Sequence, residues 1–183
     1  MRKIIGVTAL LLASGYSQAA APDPNDPSVM SNFSYDYYEA RIGLSPTTYG
    51  AKLSMSIHPN AHMIGRVDSK LSGDYDLSAG LGFHAPANNW ADFTGEMLFR
   101  MIEPEHSNDT DTGMELTLGV RQWLGPQLEV GGKAGYLTLD NNNDWIGSVY
   151  ARFHSTELFS VGAEARLNDN YDDQVMLTAR FKY

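Results

Sequence analysis

The sequence predicts an all-β protein, an antiparallel up-and-down β-barrel that crosses a membrane with ten strands. Three observations predict this fold. Apolar and polar residues alternate over segments of strand length, and basic residues keep to the polar phase of those segments. The alternation also continues to the last residue, where most chains fray. Because lipid offers no hydrogen bonds to the backbone, such a sheet must close into a barrel.

The N-terminus predicts export. Arg2 and Lys3 precede an apolar run from Ile4 to Ala13, and small residues follow up to Ala19. This pattern is typical of a secretory signal peptide, and the run is too short to span a membrane as a helix. We therefore expect a signal peptide at residues 1–19, a periplasmic N-terminal tail at 20–36 and an outer-membrane β-barrel at 37–183. The chain has no Cys, which excludes a lipid anchor on cysteine and a disulfide framework.

Ten amphipathic segments form the predicted barrel. Ten strands of ~9–11 residues use about 100 residues, and an even number places both termini in the periplasm. Eight strands is the alternative, reached if the third segment and a neighbour are loops. The predicted strands are Tyr37 to Leu44, Tyr49 to Ile57, Met63 to Leu71, Tyr75 to Ala85, Ala91 to Ile102, Met114 to Leu124, Leu128 to Leu139, Trp145 to His154, Phe159 to Leu167 and Gln174 to Tyr183.

The last strand predicts how the barrel is assembled. Its apolar face resembles the C-terminal signal strand of bacterial outer-membrane barrels, which the barrel assembly machinery recognises. That face consists of Val175, Leu177, Ala179, Phe181 and Tyr183. The expected partners are thus the assembly machinery, outer-membrane lipid and lipopolysaccharide.

Charge predicts a polar interior. A formal net charge of −9 argues against nucleic acid as a partner. Eleven basic residues outside the signal peptide and six acidic residues share the phase that faces away from lipid, which would be the lumen. This predicted lumen charge network consists of Glu39, Arg41, Lys52, Arg66, Asp68, Lys70, Glu96, Arg100, Glu115, Arg121, Glu129, Lys133, Arg152, Glu164, Arg166, Arg180 and Lys182.

Two groups of residues suggest metal binding, and neither has convincing spacing. His58, His62 and His84 fall near the periplasmic ends of adjacent predicted strands, but we interpret them as polar residues of the rim. The predicted outer loop from Glu103 to Thr112 is acidic and lacks the remaining positions of a calcium loop. We expect a solvated loop there, with weak divalent-cation bridging to lipopolysaccharide as a secondary role. No cofactor is predicted.

Catalysis is not predicted. His106, Ser107 and Asp109 supply the residue types of a hydrolase triad, but neighbours in one loop do not form a preorganised triad. The chain also has no G-x-S-x-G element.

Five short motifs are spread along the chain: Tyr35-Asp-Tyr-Tyr-Glu39, His58-Pro-Asn60, Gly119-Val-Arg121, Pro126-Gln-Leu-Glu129 and Arg180-Phe181. Together they resemble one family, the small outer-membrane β-barrels known as porin-like or opacity-like. One branch of this family was once proposed as a quorum-sensing and plant-immunity factor. The resemblance implies a barrel in the outer membrane. Because family members have no agreed activity, it implies no catalytic residues.

Two functions remain open from sequence. The first is a structural or surface-interaction barrel, with a lumen filled by charged side chains and with acidic surface loops. The second is a narrow porin-like channel, and the basic excess of the lumen would favour anions. A barrel of about eight strands is just filled by side chains, whereas wide pores have about sixteen. Ten strands therefore favour the filled lumen.

Overall fold

The structure is a computed structural model that describes residues 31–103, 110–140 and 143–183. Ten antiparallel strands form one closed barrel, in which β1 pairs with both β2 and β10. The prediction of ten strands rather than eight is confirmed. The strands are β1 (Tyr37–Leu44), β2 (Thr47–His58), β3 (Ala61–Ser69), β4 (Tyr75–Asn88), β5 (Ala91–Glu103), β6 (Asp111–Trp123), β7 (Leu128–Leu139), β8 (Asn143–His154), β9 (Phe159–Asp169) and β10 (Asp172–Lys182).

Most strand ends that differ from the prediction lie beyond the predicted segment. The ladders of β6, β8, β9 and β10 extend into the polar residues Asp111, Asn143, Asp169 and Asp172. Sequence alternation detects only the part of a strand with an apolar face, whereas backbone pairing continues beyond that part. The predicted third strand was displaced by two residues, because β3 ends at Ser69 and Leu71 adopts a positive φ of 64°.

The two faces of the sheet separate apolar from charged side chains. Outward residues such as Leu118 and Phe181 are 71% and 56% exposed, while inward Arg100 and Glu129 are fully buried. The predicted apolar face of the last strand points outward, and Tyr38 pairs with Phe181 where β1 closes on β10. The described residues include no helix long and apolar enough to cross a membrane.

Glycines on the inward face make room for large neighbours. A Cβ at Gly50 would collide with the carboxylate of Asp68, and one at Gly131 would collide with the Tyr150 ring. Both neighbours belong to the charged network of the lumen. These glycines let long polar side chains lie across the wall of a narrow barrel.

The barrel has two mouths, which differ in their connections. The terminal mouth holds residues 31–36, the end of β10 and the turns after β2, β4, β6 and β8. The far mouth holds the turns after β1, β3, β5, β7 and β9. Residues 104–109 and 141–142, in two of the predicted outer loops, lie outside the described residues, as do residues 1–30. These residues outside the described ranges include the predicted signal peptide, most of the predicted tail, and His106, Ser107 and Asp109.

Candidate functional site: the charged lumen

The candidate site is the lumen, where inward side chains from all ten strands meet. Among the described residues, nine inward cations face nine inward carboxylates. The cations are Arg41, Lys52, Arg66, Arg100, Arg121, Lys133, Arg152, Arg166 and Arg180. The carboxylates are Glu39, Asp68, Asp76, Asp92, Glu96, Glu115, Glu129, Glu164 and Asp169.

The balance of charge differs from the sequence prediction, which gave eleven cations and six carboxylates. Asp76, Asp92 and Asp169 also face inward. Lys70 and Lys182 of the predicted network instead lie at the far and terminal mouths, both partly exposed. Over the whole lumen the predicted basic excess therefore disappears.

Glu129 is the centre of one cluster, near the terminal mouth. Its carboxylate accepts hydrogen bonds from Arg121 Nε at 3.1 Å and from the Tyr150 hydroxyl at 2.7 Å. Arg152 Nη1 donates to it at 3.3 Å, and His154 Nε2 lies 2.9 Å away. Four side chains from β6 and β8 thus converge on one buried carboxylate of β7.

Glu39 links this cluster to the pairing of β1 with β10, which closes the barrel. Its Oε2 accepts from Arg152 Nη2 and Arg180 Nε, both at 2.8 Å. Arg180 pairs with Glu39 across the β1–β10 ladder, and its guanidinium lies 3.6 Å from the centre of the Tyr37 ring. The closing strand is therefore held to the first strand by charge as well as by backbone hydrogen bonds.

A second cluster fills the end of the lumen near the far mouth. Arg100 is fully buried and contacts Asp76, Glu115 and Asp169, the last at 2.8 Å. Asp68, equally buried, lies 3.3 Å from Arg41 and 3.2 Å from Arg166. Arg66 links this cluster to the middle of the lumen through Glu115 at 3.0 Å.

A cavity of about 80 Å³ remains in the middle of the lumen. Glu96 lies beside it and accepts hydrogen bonds from Lys52 at 3.2 Å and from Lys133 at 2.7 Å. β2 and β7, which carry the two lysines, stand on opposite sides of the ten-strand barrel. The three side chains therefore form a bridge across the lumen.

Residues 31–36 enter the terminal mouth. The Tyr35 ring stacks on His84 with 3.7 Å between centroids and tilts against His62 at 4.6 Å. Its hydroxyl donates to Asp92 Oδ2 at 2.8 Å, and Ser31 donates to the same oxygen. Burial raises the pKa of the Tyr35 hydroxyl; Arg121 opposes this rise and Asp92 adds to it.

Arg121, on the inner wall of the barrel, contacts the aromatic rings of residues 31–36. Its guanidinium lies 4.6 Å from the centre of the Phe33 ring and 4.7 Å from that of Tyr35, within cation–π range. Phe33 also stacks on Trp123 at 5.4 Å. Both Phe33 and Tyr35 are 6% exposed. This part of the predicted tail thus packs inside the barrel mouth.

The turn between β9 and β10 packs against neighbouring turns at the far mouth. Tyr171 is buried there, and its hydroxyl donates to Asp74 Oδ2 at 2.7 Å, in the turn after β3. Gln174 Nε2 donates to Pro46 O at 2.6 Å in the turn after β1. Burial and the bond to Asp74 raise the pKa of the Tyr171 hydroxyl. These contacts tie the β9–β10 turn and the start of β10 to two neighbouring turns of the far mouth.

The three histidines considered for a metal do not come together in the structure. His62 and His84 are buried in one ring cluster with Tyr35, with 5.6 Å between the two imidazole centroids, whereas His58 is exposed. Within the described ranges, no group of three or more His, Asp or Glu side chains is arranged to hold a metal ion. His62 and His84 instead act as packing partners of the N-terminal segment.

Sequence reasoning missed the role of Phe33 and Tyr35. The signal was present: both share the inward phase of Tyr37, Glu39 and Arg41, so the alternation of β1 starts before the strand. Asp76 and Asp92 carried a similar signal, because each lies on the inward phase of its strand. Asp169 lay beyond the predicted end of its strand.

Comparison with solved structures places this arrangement among known folds. A KdgM porin in complex with disordered oligogalacturonate has a TM-score of 0.52 and 9% identity, with 80% of this chain and 99% of that chain covered. This is the fold of a small outer-membrane porin. A second KdgM porin structure, at 8% identity, has the same TM-score and the same coverage of both chains.

Other comparisons add little to this fold assignment. Omp33 of Acinetobacter baumannii is 10% identical, with a TM-score of 0.43 over 81% of this chain and 98% of that chain. No family model matches the sequence, and no curated protein matches it. At these identities the porin likeness describes the barrel fold and leaves ligand and activity to the chain's own residues.

Proposed function

We propose that this protein is an integral outer-membrane barrel without enzymatic activity, whose resting form is closed and whose role is structural or surface-interacting. Its location is supported by the porin fold, the apolar outward face and the predicted signal peptide. The observation that carries the closed form is the obstruction of the lumen at three levels. Tyr35 packs in the terminal mouth, ion pairs occupy most of the interior, and Tyr171 narrows the far mouth.

The interior ion pairs favour a filled lumen over a pore for a specific reason. Breaking a buried ion pair leaves an uncompensated charge in a confined space, at a cost of ~3–5 kcal/mol. Glu129, Glu39 and Asp68 each hold at least two cations, so the side chains cannot turn aside singly to admit a solute. A steady pore would require whole clusters to rearrange.

A narrow anion-preferring channel is the second candidate. Two features favour it: the fold of KdgM porins and the cavity in the middle of the lumen. Asp76, Asp92 and Asp169, which offset the basic excess, lie toward the mouths, so the middle keeps more cations than carboxylates. A path for solutes would open if residues 31–36 left the terminal mouth.

Planar-bilayer recording separates the two candidates. The refolded mature protein should show almost no steady conductance, because both mouths and the interior are occupied. A variant lacking residues 20–36, and with them Phe33 and Tyr35, should stay silent if the ion pairs hold the lumen closed, and should show small, anion-preferring openings if the lumen is a channel. The matched control lacks only residues 20–30 and keeps every described contact of the terminal mouth. Steady conductance in the unmodified protein would contradict the closed barrel and favour the channel.

A further inference from the structure

The central cavity has a surplus of positive charge in its wall. Eight Lys and Arg side chains line it, against the three carboxylates Glu39, Glu96 and Glu164. Four more carboxylates, Asp68, Glu115, Glu129 and Asp169, pair with these cations from outside the cavity. Counting them, one more cation than carboxylate surrounds the cavity. Inside a narrow lumen this excess is poorly screened, and it attracts an anion.

Lys52 and Lys133 have donors to spare at this cavity. Each ammonium carries three N–H groups, and each donates one hydrogen bond, to Glu96. Lys133 also lies 3.5 Å from Glu115. Their side chains remain 15% and 23% exposed, the larger values among the inward cations of the ion-pair network. Because both lie on the inward face and line the cavity, this exposed surface faces the cavity.

The wall contains a further buried donor without an acceptor. Arg152 lines the cavity and gives both terminal nitrogens to Glu39 and Glu129, while its Nε has no hydrogen-bond partner. Arg152 is only 3% exposed. Buried donors usually have acceptors, and an unpaired one costs ~1–3 kcal/mol. An anion in the cavity would bring acceptor oxygens close to this wall.

We propose that the cavity is a binding site for a small oxyanion, such as inorganic phosphate or a carboxylate, held between Lys52 and Lys133. The volume of about 80 Å³ exceeds the ~30 Å³ that one water occupies and accommodates a compact anion rather than a chain of sugars. Glu96 already shows how the site works, since one carboxylate is bound there by both lysines. Anion binding is a property additional to the proposed function, because a closed barrel can bind an ion without conducting it.

Calorimetric titration of the full mature barrel in neutral detergent tests the site. Inorganic phosphate is added in one arm and acetate in another, both at constant ionic strength against chloride. We expect saturable binding of at least one of the two. Lys133→Met should weaken that binding about tenfold or more, as the loss of a charge-assisted hydrogen bond implies. Glu96→Gln should tighten it several-fold, because the two lysines lose their resident carboxylate.

Lys70→Met is the matched control. It removes a cation of the far mouth, which lies over Tyr171 and outside the cavity, and should leave binding unchanged. Retention of the folded, fast-migrating form on unboiled gels shows that each variant is intact. The proposal is overturned if neither anion binds saturably, or if Lys133→Met and Lys70→Met bind alike. Neither result depends on conductance, so the closed-barrel proposal is tested independently by planar-bilayer recording.

Discussion

At the scale of single residues, position within the barrel decides what a charge contributes. Glu129 is fully buried with four polar partners, whereas Asp172 is exposed at the start of β10 with a φ of 60°. A buried carboxylate among cations interacts strongly with them, whereas an ion pair of an exposed carboxylate contributes only ~0–1 kcal/mol to the free energy of unfolding. Two acidic residues of one chain therefore differ widely in their effect on stability.

We expect Glu129→Gln to destabilise the barrel, because Arg121 and Arg152 would lose their shared counter-charge in a confined space. The free energy of unfolding should fall by ~3–5 kcal/mol, the range for a broken buried pair. Thermal unfolding in detergent, followed by circular dichroism, measures the loss. Asp172→Asn is the control and should change little, since Asn also tolerates a positive φ. Equal effects of both substitutions would mean that the lumen is open to water.

Asp74 predicts a pH dependence confined to the far mouth. Burial alone would raise the pKa of Asp74, but hydrogen bonds from Tyr171 and from the backbone of Lys70 and Ser72 lower it below its ordinary value. Because the folded pKa is depressed, the carboxylate stabilises the turn above the unfolded pKa of about 3.9. That stabilisation is lost as the pH falls through the folded value.

Amide exchange, corrected for intrinsic rates, detects this change. Protection of residues 70–74 should be constant from pH 7 to about 5 and should fall below about pH 4. In Asp74→Asn the same amides should be less protected at neutral pH and lose the acid-dependent step. Unchanged protection at pH 3 in the parent protein would contradict the role given to Asp74.

At the scale of elements, β10 and residues 31–36 close the barrel in different ways. β10 closes the sheet through ladders to β1 and β9, with Lys182 N donating to Leu158 O at 2.8 Å. Residues 31–36 close the terminal mouth through side chains. The ends of both elements meet, because Tyr183 N donates to Asp36 O at 3.4 Å. The Tyr183 ring also packs against Tyr38 at 4.8 Å, and its hydroxyl donates to Ser54 O.

Deleting Phe181 to Tyr183 should prevent assembly. The deletion removes the last ladder bonds between β10 and its neighbours, together with the outward aromatic contacts of Phe181 with Phe159 and Tyr183 with Tyr38. Protease accessibility of intact cells and unboiled gels would report folded protein at the surface. Lys182→Gln, which keeps the strand and its aromatic residues, should assemble normally. Undiminished surface protein after the deletion would refute the predicted assembly signal.

At the scale of the whole molecule, closure makes the barrel a single cooperative unit. Each strand is hydrogen-bonded on both sides, so the barrel has no free sheet edge at which unfolding could begin. Charged side chains also join distant strands, as Arg166 of β9 does with Asp68 of β3 at 3.2 Å. Opening the structure therefore requires the ladder and the lumen network to break together.

We expect the mature protein to remain folded in cold SDS and to migrate differently after boiling, because this concerted opening is slow. Outer-membrane fractions should contain the heat-modifiable band, and periplasmic fractions should not. The double variant Glu129→Gln, Glu115→Gln should convert to the unfolded band at a lower temperature. Identical mobility before and after boiling, with recovery in the periplasm, would favour a soluble barrel.

The sequence by itself determined the class of fold, the number of strands and most of the inward charges. These follow from local periodicity: a strand exposes alternate residues to opposite faces, and only one face tolerates lipid. Tyr37 to Leu44 and Leu128 to Leu139 were even predicted with their observed ends. Most other strands extended beyond the alternating part, where only backbone pairing marks the strand, and β3 was displaced by two residues.

Tertiary structure decided how the lumen is filled and closed. Glu129 meets Arg152 because β7 and β8 pair in one register, while Arg166 meets Asp68 only because the barrel closes. Tyr35 reaches His62 and His84 from a segment that has no strand partners of its own. Periodicity assigns a side chain to a face, but contacts across a closed lumen depend on curvature and on which strands become opposite. The balance of charge in the middle of the barrel therefore depends on the tertiary structure.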